Sequence, residues 1–237
     1  MTTLAVRDLD VYIQASHYLA EGDARGGPRG SRLPGGTQRR RQVHAARTVM
    51  GYLRPRAGTI TFKGAPIHGR RTHEIALGGI GFAPEDSGIF ADLTVAENIE
   101  IATWTRPGGR PARERVEAAY DVFPVLRTYA ARKGPAMSGG ERKMLSIARA
   151  LALDPELLLL DRALRGPLAR HHPGGGGGIG SITRRGHAIL LAESNIHHVP
   201  DFAARLYVIE RGEVIFAGRP EEVHRDAAVL RVIGGAA

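Results

Sequence analysis

The chain reads as an α/β protein on three features. A capped, amphipathic helix from Gly139 runs directly into a short apolar strand ending at Asp161. Further buried strands are expected at Ile80 and His187. Alternating segments at Gly58–Gly64 and Leu206–Phe216 suit antiparallel pairing. The balance of 43% apolar but only 5% aromatic residues agrees with that class. A chain of 237 residues is long enough for one large domain, or for a domain carrying a subdomain. The absence of cysteine excludes disulfides and thiolate metal sites. No apolar run reaches the length of a membrane span and the start has no signal-peptide pattern. The expectation is a cytosolic protein, at most peripheral to a membrane.

The elements follow in order. Leu4–Ile13 alternates as an opening strand. Between Tyr18 and Ala46 the pattern dissolves into Gly, Arg and Pro without a period, a basic loop too long for a compact domain. Arg47–Leu53 reads as the end of a helix, and Gly58–Gly64 as a strand and turn. Ile80–Glu85 is a buried strand leading into a loop. Thr94 and Glu97 have the spacing of a capping box. Residues 99–135 are helical by pattern, with a Pro/Gly break at 107–111. Ser138 and Glu141 repeat the capping-box spacing, while Gly139 and Gly140 leave the first turn bare enough for a phosphate to approach its amides. Met144, Leu145, Ile147, Ala148 and Leu151 supply the buried stripe, and Asp154-Pro155 stops the helix. His187–Ala192 is another buried strand. Leu206–Phe216 is a hairpin turning at Arg211-Gly212, and Pro220–His224 opens a terminal helix.

The formal charge of +9 points to an anionic partner until its distribution is considered. Residues 18–46 carry six arginines against Glu21 and Asp23, and residues 162–178 carry three arginines and no acid. The two tracts together supply seven of the nine charges and 12 of the 31 glycines. The excess is therefore local.

Ser138-Gly-Gly-Glu141 heading its helix, followed by Leu157-Leu-Leu-Leu-Asp161, resembles the signature motif and Walker B strand of the ATP-binding cassette superfamily. The alternative is an ordinary capped helix beside a buried strand. The stretch Gly51–Gly64 resembles the segment after the phosphate-binding helix, and Pro84–Ile99 resembles the loop that usually begins with a glutamine. Here Glu85 takes that position, and Pro84-Glu-Asp86 is similar to the ATPases of branched-chain amino-acid importers. The resemblance covers residues 4–17, 47–161 and 179–233. It implies an α/β P-loop ATPase core with an antiparallel β portion and a helical subdomain at about residues 88–137 that meets a transmembrane permease. It implies ATP and Mg²⁺ as cofactors, a second ATPase subunit (the same chain or another), and an indirect link to a substrate-binding protein at the cytoplasmic membrane face. Ser138 and Gly140 would face the γ-phosphate held by the opposite subunit, with Gly139, Glu141 and Gly36 also on the nucleotide. Asp161 would hold Mg²⁺ through water. Tyr12 would stack on adenine, unless Ile13 takes that place. Ser194 occupies the switch position, where many relatives have histidine.

The family's P-loop, G-x-x-x-x-G-K-[S/T], cradles phosphates with its amides and reaches the β/γ-phosphates with its lysine. This chain has none. In its place stands Gly36-Thr-Gln-Arg-Arg-Arg-Gln-Val-His44. Read one nucleotide later, the codons for those residues permit Gly-Pro-Asn-Gly-Ala-Gly-Lys-Ser-Thr. The same shift lets residues 18–26 read Ile-Leu-Gln-Arg-Val-Thr-Leu-Glu-Val, a second strand. It turns Arg162–Arg170 into Glu-Pro-Phe-Glu-Gly-Leu-Ser-Pro-Val, restoring Asp-Glu-Pro behind Asp161. Compensated frame slips in both tracts account for all three and preserve the spacing between motifs. Taken as it stands, Arg39–Arg41 is instead a basic patch of phosphate- or nucleic-acid-binding type, without interleaved aromatics apart from Tyr18. A non-catalytic subunit that still docks on a permease is the third reading. In each, the chain lacks the P-loop lysine and has Arg162 where a glutamate base belongs.

Overall fold

The computed structural model describes residues 4–10, 17–22, 45–105, 109–163, 178–193, 195–200, 202–210, 213–227 and 229–230. These fall into two compact units, Met1–Ile75 with Leu191–Ala237, and Ala76–Leu190.

In the first unit, β1 (Leu4–Asp10) pairs antiparallel with β3 (Ala57–Phe62), which pairs with the short β4 (Ala65–Pro66). Ile60 and Phe62 are its buried residues. Between β1 and β3 lie β2 (His17–Gly22) and α1 (Ala45–Val49). The helix ends in a Schellman motif: Tyr52 N–H donates to Arg47 O at 2.9 Å and Gly51 N–H to Thr48 O at 3.0 Å. Gly51 has φ +76°, and a Cβ there would meet Arg70 O at 2.8 Å, so only glycine serves. The second sheet of this unit is antiparallel, with β2 paired to β8 (Arg205–Glu210) and β8 to β9 (Glu213–Gly218). Leu206 and Val208 bury against Ile196, Val223 and Val229.

Of the expected opening strand Leu4–Ile13, residues 4–10 form β1 and the rest lies outside the described residues, while β2 forms inside a tract with no period of its own. Its ladder with β8 supplies the order that the side-chain pattern lacks. At the other end, the helix expected to open at Pro220 is of the 3₁₀ type over Pro220–Arg225. Val223 is its one buried residue, too little to support a longer turn run. The hairpin turn at Arg211-Gly212 lies outside the described residues, as does Arg39–Arg41.

The second unit is built on β5 (Ile80–Ala83) and β6 (Leu157–Asp161), which are parallel and in register from Ile80↔Leu157 to Ala83↔Leu160. The β6 residues Leu157 to Leu160 are all buried, the continuous apolar run of a strand covered on both faces. Between α1 and β5 runs the short α2 (Thr72–Leu77), and β7 (Ala188–Glu193) follows α7 (Ile179–Arg184).

The helices of this unit are α3 (Val95–Trp104), α4 (Ala112–Val122), α5 (Val125–Thr128) and α6 (Gly139–Ala152), with the first three packed on α6. Thr94 and Glu97 form the expected capping box at the head of α3. Buried Asn98 holds the loop before it, accepting from Phe90 N–H at 2.9 Å and donating to Phe90 O at 3.0 Å and Thr94 O at 2.9 Å. Buried Arg115 donates to Thr103 O at 3.0 Å, near the carbonyl end of α3, where a cation is favoured. Ser146 is also buried, and its hydroxyl has no hydrogen-bond partner among the described residues. Ser146→Ala is therefore expected to raise stability by about 0.5–1 kcal/mol in chemical denaturation, since it removes an unsatisfied group and adds helix propensity.

Candidate functional site

Ligands of open parallel sheets collect at the carboxyl ends of the strands. Pro84 and Glu85 leave β5 at that end, and Asp161 terminates β6 beside them before Arg162. One side chain ties the two ends together. Lys143, only 7% exposed, lies in the second turn of α6 and donates from Nζ to Pro84 O at 2.6 Å and Asp161 O at 2.8 Å. Glu85 O is 3.5 Å from the same nitrogen. A buried ammonium is tolerable because main-chain carbonyls replace its hydration.

Lys143 escaped the sequence reading, which counted apolar residues and put Met144 on the buried face. Met144 is half-buried, whereas Lys143 and Ser146 lie on the core side with Ile147 and Ala150. The available signal was spacing: Lys143 stands four before Ile147 and seven before Ala150, on the face that must pack.

At the head of α6, Ser138 and Glu141 form the expected capping box. Ser138 Oγ accepts from Glu141 N–H at 3.3 Å, and Glu141 Oε2 accepts from Ser138 N–H at 2.7 Å. Ser138 and Gly139 are exposed, Gly140 and Glu141 half-exposed, and a Cβ on Gly139 would have nothing within 4 Å. The first-turn amides beside Ser138 open towards solvent. The end of this helix suits an anionic oxygen arriving from outside.

The bond from Ser138 N–H, followed by that from its hydroxyl, holds the Glu141 carboxyl below its ordinary 4.5. A depressed carboxyl contributes stability above its unfolded value and loses it as pH falls through the folded one. Acidification below about pH 4.5 should therefore destabilise the chain more than Glu141→Gln, which keeps the capping geometry but does not titrate. Melting temperatures measured between neutral and acid pH check this.

Asp161 is half-buried and Glu85 exposed. Arg162, in the position expected of a glutamate base, donates from Nη1 to Glu85 Oε1 at 2.8 Å. Its φ of +46° is left-handed, an unfavourable region for a non-glycine residue. This arrangement does not fit Mg²⁺. The neighbouring carboxylate, Glu85, is already held by the Arg162 guanidinium, and the ammonium of Lys143 stands against the strand ends as well. The Mg²⁺ role expected of Asp161 is thus not supported by its surroundings in this chain.

Tyr12, Gly36 and Ser194 lie outside the described residues. Beside the switch position, Asn195 Oδ1 accepts from His197 N–H at 2.9 Å, and His198 Nδ1 is 3.6 Å from Oε2 of the buried Glu193.

The parallel strand pair, the bare capped helix facing outward and the helices packed on it are those of an ATP-binding-cassette ATPase domain. Solved cassettes share this fold. A nucleotide-free ATP-binding cassette from an ABC transporter matches with a TM-score of 0.61 at 23% identity, over 79% of this chain and 81% of that one. An ABC transporter cassette in its ADP conformation matches with a TM-score of 0.62 at 21% identity, over 80% and 81%. The sequence profile of the ABC transporter family matches residues 45–165. The lipopolysaccharide export ATP-binding protein LptB of Haemophilus influenzae is 34% identical over 79% of this chain and 78% of its own length. A probable branched-chain amino acid transport ATP-binding protein, LivF of Archaeoglobus fulgidus, is 31% identical over 75% of each. The chain belongs to the ABC transporter family, among its ATP-binding subunits. No helix among the described residues is long and apolar enough to cross a membrane.

Proposed function

We propose that this chain derives from the ATP-hydrolysing subunit of a branched-chain amino-acid importer and that, as it stands, it turns over little or no ATP. The observation that carries the second half is Arg162: a guanidinium that cannot accept a proton occupies the base position and is tied to Glu85. The missing P-loop lysine acts in the same direction. Relatives named for lipopolysaccharide export, iron import and Nod factor export stand beside the branched-chain one, so the cargo rests on Pro84-Glu85-Asp86 and not on similarity alone.

In this reading residues 1–237 form one cassette domain, with the helical subdomain at about residues 88–137 facing a permease at the cytoplasmic side of the membrane. The exposed rings of Phe90, with the Arg149 guanidinium 5.0 Å from its centroid, and of Trp104 are the large aromatics offered on that subdomain. Two ATPase subunits associate so that Ser138 and Gly140 of each face the γ-phosphate bound by the other. This chain contributes the signature half of such a site. Residues 18–46 and 162–178, read in the neighbouring frame, would contribute the rest.

Uptake of labelled leucine tests the cargo. Cells lacking the gene and carrying a frame-restored copy should take up leucine faster than cells carrying the present one. Equal uptake, with restored ATP hydrolysis, would remove the branched-chain assignment.

A further inference from the structure

We propose that the guanidinium of Arg162 is itself the cation of this site, standing in for a divalent metal ion at the carboxyl ends of β5 and β6. The chain consequently lacks a metal centre there. The inference rests on the reading of Asp161 as the metal-side carboxylate of the cassette.

The ion pair joins the residue after β6 to a residue just past β5, so it spans the mouth between the two parallel strands. Its side chains are 25% and 47% exposed, so the pair is partly shielded from water at the arginine end. The backbone of Arg162 is left-handed, with φ +46°. The adjoining carbonyl of Asp161 is fixed from the other side by Lys143 Nζ at 2.8 Å. Local strain kept in place by surrounding bonds is characteristic of a set position.

The guanidinium of Arg162 and the ammonium of Lys143 thus serve the same two strand ends. A divalent ion brought to Asp161 would meet both and would have to break the Arg162–Glu85 pair to gain a second carboxylate. Among the described residues there is no group of three or more His, Asp or Glu side chains able to hold a metal ion.

Mn²⁺ binding to the purified full-length chain, followed by loss of the free-ion electron paramagnetic resonance signal, tests the inference. The unaltered chain is expected to leave the signal undiminished. Arg162→Glu replaces the tethered cation with a carboxylate and should gain Mn²⁺ affinity by roughly tenfold or more. Adding Asp161→Asn should remove that gain. Arg162→Gln, which only deletes the charge, should gain a smaller affinity, and its melting midpoint shows whether it is folded should Arg162→Glu fail to fold. Mn²⁺ binding by the unaltered chain that Asp161→Asn abolishes would overturn the inference while leaving the family reading intact. Folded variants that bind no more Mn²⁺ than the unaltered chain would overturn it too. Binding by Arg162→Glu that survives Asp161→Asn would instead overturn the role given to Asp161.

Discussion

Rewriting residues 18–46 and 162–178 in the neighbouring reading frame is expected to turn a chain without measurable ATP turnover into a working ATPase. The gain has two parts. Replacing Arg162 with the glutamate that the shifted frame permits returns a proton acceptor behind Asp161, and a positioned base contributes on the order of 10²–10⁴ in rate. Restoring Gly-Pro-Asn-Gly-Ala-Gly-Lys-Ser-Thr over residues 36–44 returns the amide cradle and the lysine, without which the phosphates are not held at all. The parts act as a unit, so Arg162→Glu alone should leave hydrolysis at background. Phosphate release from the purified proteins measures this. Normal hydrolysis by the unrewritten chain would show that neither the base nor the cradle is where the family places it.

The second large effect is on stability. Lys143→Met keeps much of the volume of the side chain but removes the donor shared by Pro84 O and Asp161 O. Two carbonyls at the strand ends then lose a charge-assisted partner in a largely buried place. The expected cost is about 3 kcal/mol, or a fall in Tm of roughly 6–12 °C for a chain of this size. Lys143→Gln retains a donor and should recover part of the loss. Met144→Ala, at the half-buried neighbour, should cost clearly less than Lys143→Met. Equal losses at positions 143 and 144 would mean that packing, and not the carbonyl bonds, is what Lys143 supplies.

Residues whose role is local were legible in the chain. Both capping boxes, Thr94 with Glu97 and Ser138 with Glu141, follow from a side chain three residues from its partner and appear as such. The buried strand from Leu157 follows from an uninterrupted apolar run bounded by Pro155 and Asp161. Interactions made across distance in sequence were not legible. Lys143 reaches carbonyls 59 and 18 residues away, and Arg162 reaches a carboxylate 77 residues away. No periodicity marks a polar residue whose partners belong to other elements. The strand at His17–Gly22 is a related case, since its order comes from pairing with Arg205–Ile209. The site was readable as a family likeness at Ser138–Glu141, while the state of its other half depends on how residues 36–44 and 162 came to be what they are.

That origin is decided by the gene's own codons. Reading the nucleotide sequence across residues 36–46 distinguishes a slipped frame from a genuine basic segment. Asparagine at the third position of the restored P-loop requires that Gln38 be encoded by CAA. Lysine requires CAA at Gln42, and threonine requires CAC at His44. The account predicts all three. CAG at either glutamine, or CAT at His44, would give serine, arginine or methionine in the shifted frame and contradict it.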